Sequence, residues 1–173
     1  PVVIDPTFVL DVGRSNTNDI HVSSSSPNKC FKLDYQLEVG RNNGSVFRTY
    51  IKYNLPILPD CSVVTNAELK LVQNWSRSFD NDNVYLNVYR CDSPWNFDSI
   101  TWNNQPIQNL ADATVVDYTN FIDGMSKKYY LNITKIVKNW YENGENYGLM
   151  LASSDESVEE KTSFYSSRNI VSN

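Results

Sequence analysis

WNFDSITWNNQP, residues Trp95 to Pro106, is the stretch on which the fold reading turns. Its two tryptophans, seven residues apart, are divided by Asp98 and Thr101 and followed by Asn103, Asn104, Gln105 and Pro106. That arrangement has the period of neither a strand nor a helix. It reads as an ordered loop pinned by aromatics. A second stretch, LNITKIVKNWYENGENYGLMLA from Leu131 to Ala152, complements it. Ile133, Ile136, Val137 and Trp140 fall at relative positions 0, 3, 4 and 7, one face of a helix. Thr134 stands near its start and Gly144 near its end. Tyr147 to Ala152 follows as a continuous apolar strand.

Around these two pieces the chain alternates. Thr7 to Val12 has β character, and Arg14 to Asn28, rich in Ser and Asn, reads as a long loop. Phe31 to Val39 places Phe31, Leu33, Tyr35, Leu37 and Val39 on one face. Arg41 to Ser45 is a turn, with Gly44 free to take positive φ. In Val46 to Tyr53, residues Phe47, Thr49, Ile51 and Tyr53 share one face and Arg48, Tyr50 and Lys52 the other. Pro56 and Pro59 break the ladder. Val63 to Val72 turns Ala67, Leu69 and Leu71 inward. Asn74 to Asn83 is a polar hairpin connection, and Val84 to Tyr89 a strand with Val84, Leu86 and Val88 inward. Thr114 to Tyr118, Lys128 to Leu131 and Thr162 to Ser166 are further strands, and Asp155 to Glu160 is an acidic, solvated loop. Many short strands with one helix predict an all-β fold, an antiparallel jelly-roll β-sandwich with one short amphipathic helix. With 173 residues and no shift in composition, residues 1–173 read as a single domain.

The chain is 40% hydrophobic and 13% aromatic, which is globular composition. A net charge of −5 without any block of Lys and Arg argues against nucleic-acid and anionic-membrane partners. No apolar run approaches the roughly 18 residues of a membrane span. No secretion leader is visible, and a chain starting at Pro1 reads as a segment of something longer. Abundant Asn and Tyr suit an extracellular module. Cys30, Cys61 and Cys91 allow at most one disulfide, or three unpaired thiols. Asn43-Gly44-Ser45, Asn74-Trp75-Ser76 and Asn132-Ile133-Thr134 fit the glycosylation sequon, which matters only in a eukaryotic host.

RTYIKYNLPILP (Arg48 to Pro59), NAELKL (Asn66 to Leu71), VYLNVYR (Val84 to Arg90), WNFDSITWNNQP, the Leu131 to Ser153 stretch and FYSSR resemble, in this order, the DNRLRE domain family, also grouped among carbohydrate-binding modules. The resemblance implies a jelly-roll sandwich without catalytic activity, carried by secreted or cell-surface proteins as one module among several, with a polysaccharide as partner. A structural spacer or an adhesive, protein-binding domain is the alternative.

The residues themselves favour binding over chemistry. A histidine-based triad has only His21 to use, placed by this reading in a Ser/Asn loop, and no nucleophile elbow exists. Asp80-Asn81-Asp82-Asn83 is the densest oxygen-donor cluster, so calcium is the one candidate cofactor, with Asp80 and Asp82 as ligands; a plain hairpin turn is the other reading. Sugar recognition needs an exposed aromatic face for the C–H side of the ring and polar neighbours for its hydroxyls. Trp140 belongs to the helix's apolar face, and Trp95 and Trp102 clamp their loop, with indole N–H groups on backbone carbonyls. Trp75 sits in a polar connection beside Arg77, unclaimed by any apolar stripe, and is the first choice for a ligand platform, against packing over a sandwich end. Tyr50, Tyr85 and Tyr89 form a second candidate, a flat row on one sheet face, against cross-strand packing under a covering loop.

Overall fold

Leu69 and Leu71 are buried between exposed Glu68 and Lys70, and this alternation makes a one-faced strand of Glu68–Val72. Most of the chain repeats the device. The computed structural model describes residues 16–74, 86–108, 114–115, 118–123 and 126–169. Among them the strands are β1 (Thr17–Ser23), β2 (Gln36–Asn42), β3 (Ser45–Tyr53), β4 (Glu68–Val72), β5 (Leu86–Arg90), β6 (Thr114–Val115), β7 (Tyr118–Asp123), β8 (Ser126–Asn132), β9 (Leu149–Ser153) and β10 (Lys161–Tyr165). One α-helix, α1 (Thr134–Asn143), lies between β8 and β9.

The strands form two antiparallel sheets. The larger has the order β10-β2-β3-β9-β5-β6, with β1 also paired to β3; the smaller has the order β4-β8-β7. Leu37, Val39, Ile51, Leu86, Val88, Leu149, Leu151 and Phe164 of the larger sheet meet Leu69, Leu71, Tyr129 and Leu131 of the smaller one. Ile136, Val137 and Trp140 of α1 join the same core, so the helix lies with its predicted face inward. Each such large side chain contributes about 1.5–3 kcal/mol of burial. The fold is the expected all-β sandwich with a single short helix.

Both faces of the larger sheet are buried. Its outer face carries Ile20, Val22, Tyr50, Met150 and Ala152, which form a second cluster with Cys91, Ile100, Phe31, Trp95, Phe97 and Trp102. Most of those partners come from the loops that precede β2 and follow β5. The β2–β3 turn has positive φ at both Asn43 (49°) and Gly44 (75°), the combination that suits a right-twisted two-residue hairpin. Helix α1 ends on Gly144, whose N–H donates to the Trp140 carbonyl.

Several boundaries differ from the expectation, three of them for reasons visible in the contacts. Residues 17–23 of the supposed loop form β1, because its polar residues find buried partners. Asp19 accepts from Ser167 and pairs with Arg168, His21 is bonded to the Gln36 carbonyl, and Ser23 to the Ser45 hydroxyl. Strand β2 begins at Gln36 rather than Phe31: Phe31 turns back to cover His21, with ring centroids 4.4 Å apart, and leaves Leu33 and Tyr35 outside. Strand β4 begins at Glu68, and Val63 is exposed. The predicted strand Thr7 to Val12 lies outside the described residues.

Candidate functional site

WNFDSITWNNQP is a lid on the outer face of the larger sheet. Trp95 donates its indole N–H to the Tyr147 carbonyl at 2.7 Å, as a clamping tryptophan should. Trp102 opens a single 3-10 turn, and the Arg48 guanidinium lies 4.8 Å from its ring centroid. Arg48 in turn makes two 2.7 Å bonds to the two carboxylate oxygens of Glu156, and a third, at 3.2 Å, to Gln105. Glu156 is therefore a partner of the lid rather than part of a solvated acidic loop. Glu159 likewise accepts from Arg41 and from the Gly44 N–H, and those bonds hold its carboxyl below the usual range.

Tyr50 lies beneath this lid. Register places Tyr50, Met150 and Tyr89 side by side across β3, β9 and β5, so two of the three tyrosines do share a face. The face is not open at Tyr50, which is 0% exposed, 5.9 Å from the Trp95 ring. Its hydroxyl donates to Gln105 and receives the Gln108 amide, both at 2.9 Å, and burial raises its pKa strongly. Tyr50 is a buried strut, and the covering-loop reading describes it. Tyr89 is half-buried, and its hydroxyl accepts from Asn87. Trp75, Arg77, Tyr85, Asp80 and Asp82 lie outside the described residues.

His21 is in a strand, not a loop. Its Nε2 is 3.7 Å from the Asp34 carboxylate, and burial holds its pKa below the ordinary value despite Glu38 and Asp34 nearby. Desolvation of this kind keeps the ring neutral and structural. All three cysteines are free; Cys61 is exposed, whereas burial pushes the Cys91 thiol up to about 12. Among the described residues no three His, Cys, Asp or Glu gather to hold a metal ion. No helix among them is long and apolar enough to cross a membrane.

The alternation pattern hid one surface aromatic. Tyr35, which alternation puts on one face with Phe31, Leu33, Leu37 and Val39, is 60% exposed beside Leu33 at 78%. Its backbone is fixed: the Tyr35 carbonyl accepts from the Ser166 N–H, and the Asp34 carbonyl from the Ser166 hydroxyl and Arg168 Nε. Arg168 is itself anchored by Asp19 and by the Phe97 ring, 5.0 Å away. The hint in the sequence was the FYSSR stretch, whose Ser166 and Arg168 reach back to the residues before β2.

A hydrogen-bonded backbone, an exposed ring and polar neighbours are the makings of a ligand-binding surface. No curated protein matches the chain. The model of carbohydrate-binding module family 96 matches residues 11–172, nearly the whole length, and the protein belongs to that family.

Proposed function

We propose that the domain is a non-catalytic, extracellular or cell-surface carbohydrate-binding module that holds a plant or cell-wall polysaccharide by aromatic stacking, as one part of a larger secreted protein akin to DNRLRE-containing proteins. Membership of the family supports carbohydrate as the ligand. The observation that carries the stacking mechanism is Tyr35, an exposed ring on a backbone pinned from β10's exit. A platform already held in place loses little conformational entropy on binding. The apolar C–H face of a pyranose packs against such a ring, while hydroxyls meet neighbouring polar groups. Lys32 and Asp34, both part-exposed in the same segment, supply a donor and an acceptor. Trp75 with Arg77, and Tyr89 with Tyr85, extend the proposal to further contacts, and Asp80 and Asp82 to calcium.

The test is retention on insoluble cellulose, xylan, mannan, pectin and chitin, with calcium and with EDTA. Retention on at least one polymer is expected, with affinity lowered about tenfold by Tyr35→Ala, the value of one lost stacking contact. The melting temperature of that variant should stay put, because the ring is exposed. Calcium dependence that is lost in Asp80→Asn or Asp82→Asn assigns those residues; loss in Trp75→Ala assigns that side chain. A folded domain retained by none of the polymers refutes the proposal and makes the domain a spacer or an adhesive module.

A further inference from the structure

His21 is the only histidine of the chain, and its ring lies under the segment that carries Tyr35. Three contacts join the two. The Phe31 ring covers His21 at 4.4 Å between centroids, the Gln36 carbonyl is 3.1 Å from Nδ1, and the Asp34 carboxylate is 3.7 Å from Nε2. A carbonyl only accepts, so Nδ1 carries the proton of the neutral ring and Nε2 presents a lone pair. That lone pair faces the Asp34 carboxylate, acceptor against acceptor. The next proton therefore has one place to go, Nε2, and it turns the contact with Asp34 from repulsive to attractive.

The charges around the ring leave Asp34 as the partner that responds. On β1 itself, Asp19 is held by Ser167 and Arg168. On β2, Glu38 is bound by Lys161 of β10 at 2.8 Å. From β3 come Thr49, opposite His21 in register, and the Phe47 ring under the Lys161 ammonium, neither of them charged. In the covering segment Lys29 lies over the Phe31 ring, and Lys32 binds Asp98. The Asp34 backbone is fixed: its N–H donates to the Phe31 carbonyl, and its own carbonyl accepts from Ser166 and Arg168. Its side chain is half-exposed, whereas His21 is buried. An imidazolium thus moves the carboxylate and not the chain, drawing it about 1 Å inward to the length of a charge-assisted bond. Burial holds the His21 pKa below its ordinary 6.5 against the pull of Glu38 and Asp34, so the proton is taken up only below that pH.

We infer that His21 is a positioning residue for Asp34, and that its protonation in mild acid withdraws the Asp34 carboxylate from the glycan and weakens binding. The inference rests on the carbohydrate-binding reading of the Tyr35 segment and adds its regulation. Near neutral pH the ring is neutral, and the Asp34 carboxylate stays at the surface to accept from a sugar hydroxyl. In acid the same carboxylate is engaged from below. Linkage requires the converse, that a bound glycan makes His21 harder to protonate.

The experiment measures the affinity of the intact domain and its His21→Gln, Asp34→Asn and Tyr35→Ala variants for cellohexaose, xylohexaose and mannohexaose. It runs between about pH 8 and about pH 5, a range that brackets histidine and stays above the carboxylates. Circular dichroism checks the fold at each pH, and NMR follows the imidazole nitrogens. On a hexaose that binds, native affinity should fall about tenfold towards the acid end, the loss expected for one hydrogen bond to a charged group. His21→Gln and Asp34→Asn should flatten that profile, because one lacks the proton and the other the charge it attracts. Tyr35→Ala should bind weakly throughout and leave the imidazole titration in place. The hexaose should shift that titration to lower pH in the native domain. Asp34→Asn decides the matter where His21→Gln disturbs folding, since the Asp34 side chain is half-exposed. A flat native profile, or a fall that persists in Asp34→Asn, overturns the inference and leaves carbohydrate binding standing. A folded native domain that binds neither hexaoses nor polymers at any pH overturns both.

Discussion

Removing the Arg48 guanidinium is the sharpest test of the claim that WNFDSITWNNQP is architecture and not a binding loop. Arg48 joins three parts of the chain: β3, the Glu156 loop and the lid through Gln105 and the Trp102 ring. Its side chain is 24% exposed and that of Glu156 27%, with both N–H···O distances at 2.7 Å. Fully exposed ion pairs contribute about 0–1 kcal/mol, and breaking fully buried ones costs about 3–5 kcal/mol. A bidentate pair at this depth falls between, at about 2 kcal/mol. The ring contact to Trp102 adds about 0.5–1 kcal/mol. Arg48→Ala should therefore destabilise the domain by about 3 kcal/mol and lower its melting temperature by roughly 6–12 °C. Arg48→Lys keeps the charge but not the fork, and should lose about half as much. The assay is urea unfolding of Arg48→Ala, Glu156→Gln and the double variant. A coupling energy of about 1.5–2 kcal/mol is expected from the cycle. Coupling under about 0.5 kcal/mol would class the pair with surface ion pairs and refute the reasoning. Glycan retention through Tyr35, at a temperature where every variant is folded, should be unchanged, because Arg48 bonds to the Glu156 loop and the lid and not to the Tyr35 segment.

Gly40→Ala should be among the most damaging small substitutions: φ is +110° and an added Cβ would sit 2.0 Å from the Glu160 carbonyl oxygen. Strain and overpacking together predict a loss of about 4 kcal/mol, read by urea unfolding; a loss below about 1 kcal/mol contradicts the geometry. His21 has a folded pKa below its ordinary 6.5, so the unfolded chain takes up a proton first as pH falls. Its contribution to stability is complete above that value and declines on acidification through it, so His21→Gln should flatten the stability profile between neutral and mildly acidic pH. An unchanged profile sinks the assignment. In the native domain, iodoacetamide should label exposed Cys61 quickly and buried Cys91 only on unfolding, as mass spectrometry of peptides would read; rapid labelling of Cys91 would contradict its burial.

The strands with one clear apolar face were legible because a period of two states directly which side chains share a face. Leu69 and Leu71, or Leu86 and Val88, needed no knowledge of the rest of the chain. Helix α1 was legible for the same reason, with Gly144 marking its end. Strand β1 was not, because a run of Thr17, Asn18, Asp19 and His21 has the composition of a loop. Its polar groups are bearable inside only because Ser167 and Arg168 lie beside Asp19 and Gln36 beside His21. Those partners are 15 to 149 residues away in the chain, and local pattern carries no trace of them.

The proposed binding surface was illegible for a related reason. Alternation tells which face a residue is on but not whether anything covers that face. Tyr50 was placed correctly opposite Ile51, and the inference that it was open failed because Trp95 reaches the Tyr147 carbonyl and Arg48 reaches Glu156, closing the lid over it. Tyr35 is the opposite case. It continues the apolar alternation of Leu37 and Val39, but β10 pairs with β2 only from Tyr165 and Gln36 onward, so no neighbour covers it. Two tyrosines of identical chemistry thus end at 0% and 60% exposure through contacts made by other segments. The same logic holds at the end of helix α1. Tyr141 follows Trp140 around the helix, half in and half out, and is held to the segment after β3 by its hydroxyl, which donates to the Pro56 carbonyl 85 residues earlier. Where a module's ligand surface is assembled by such long-range bracing, aromatic count and spacing nominate residues, and the braces decide among them.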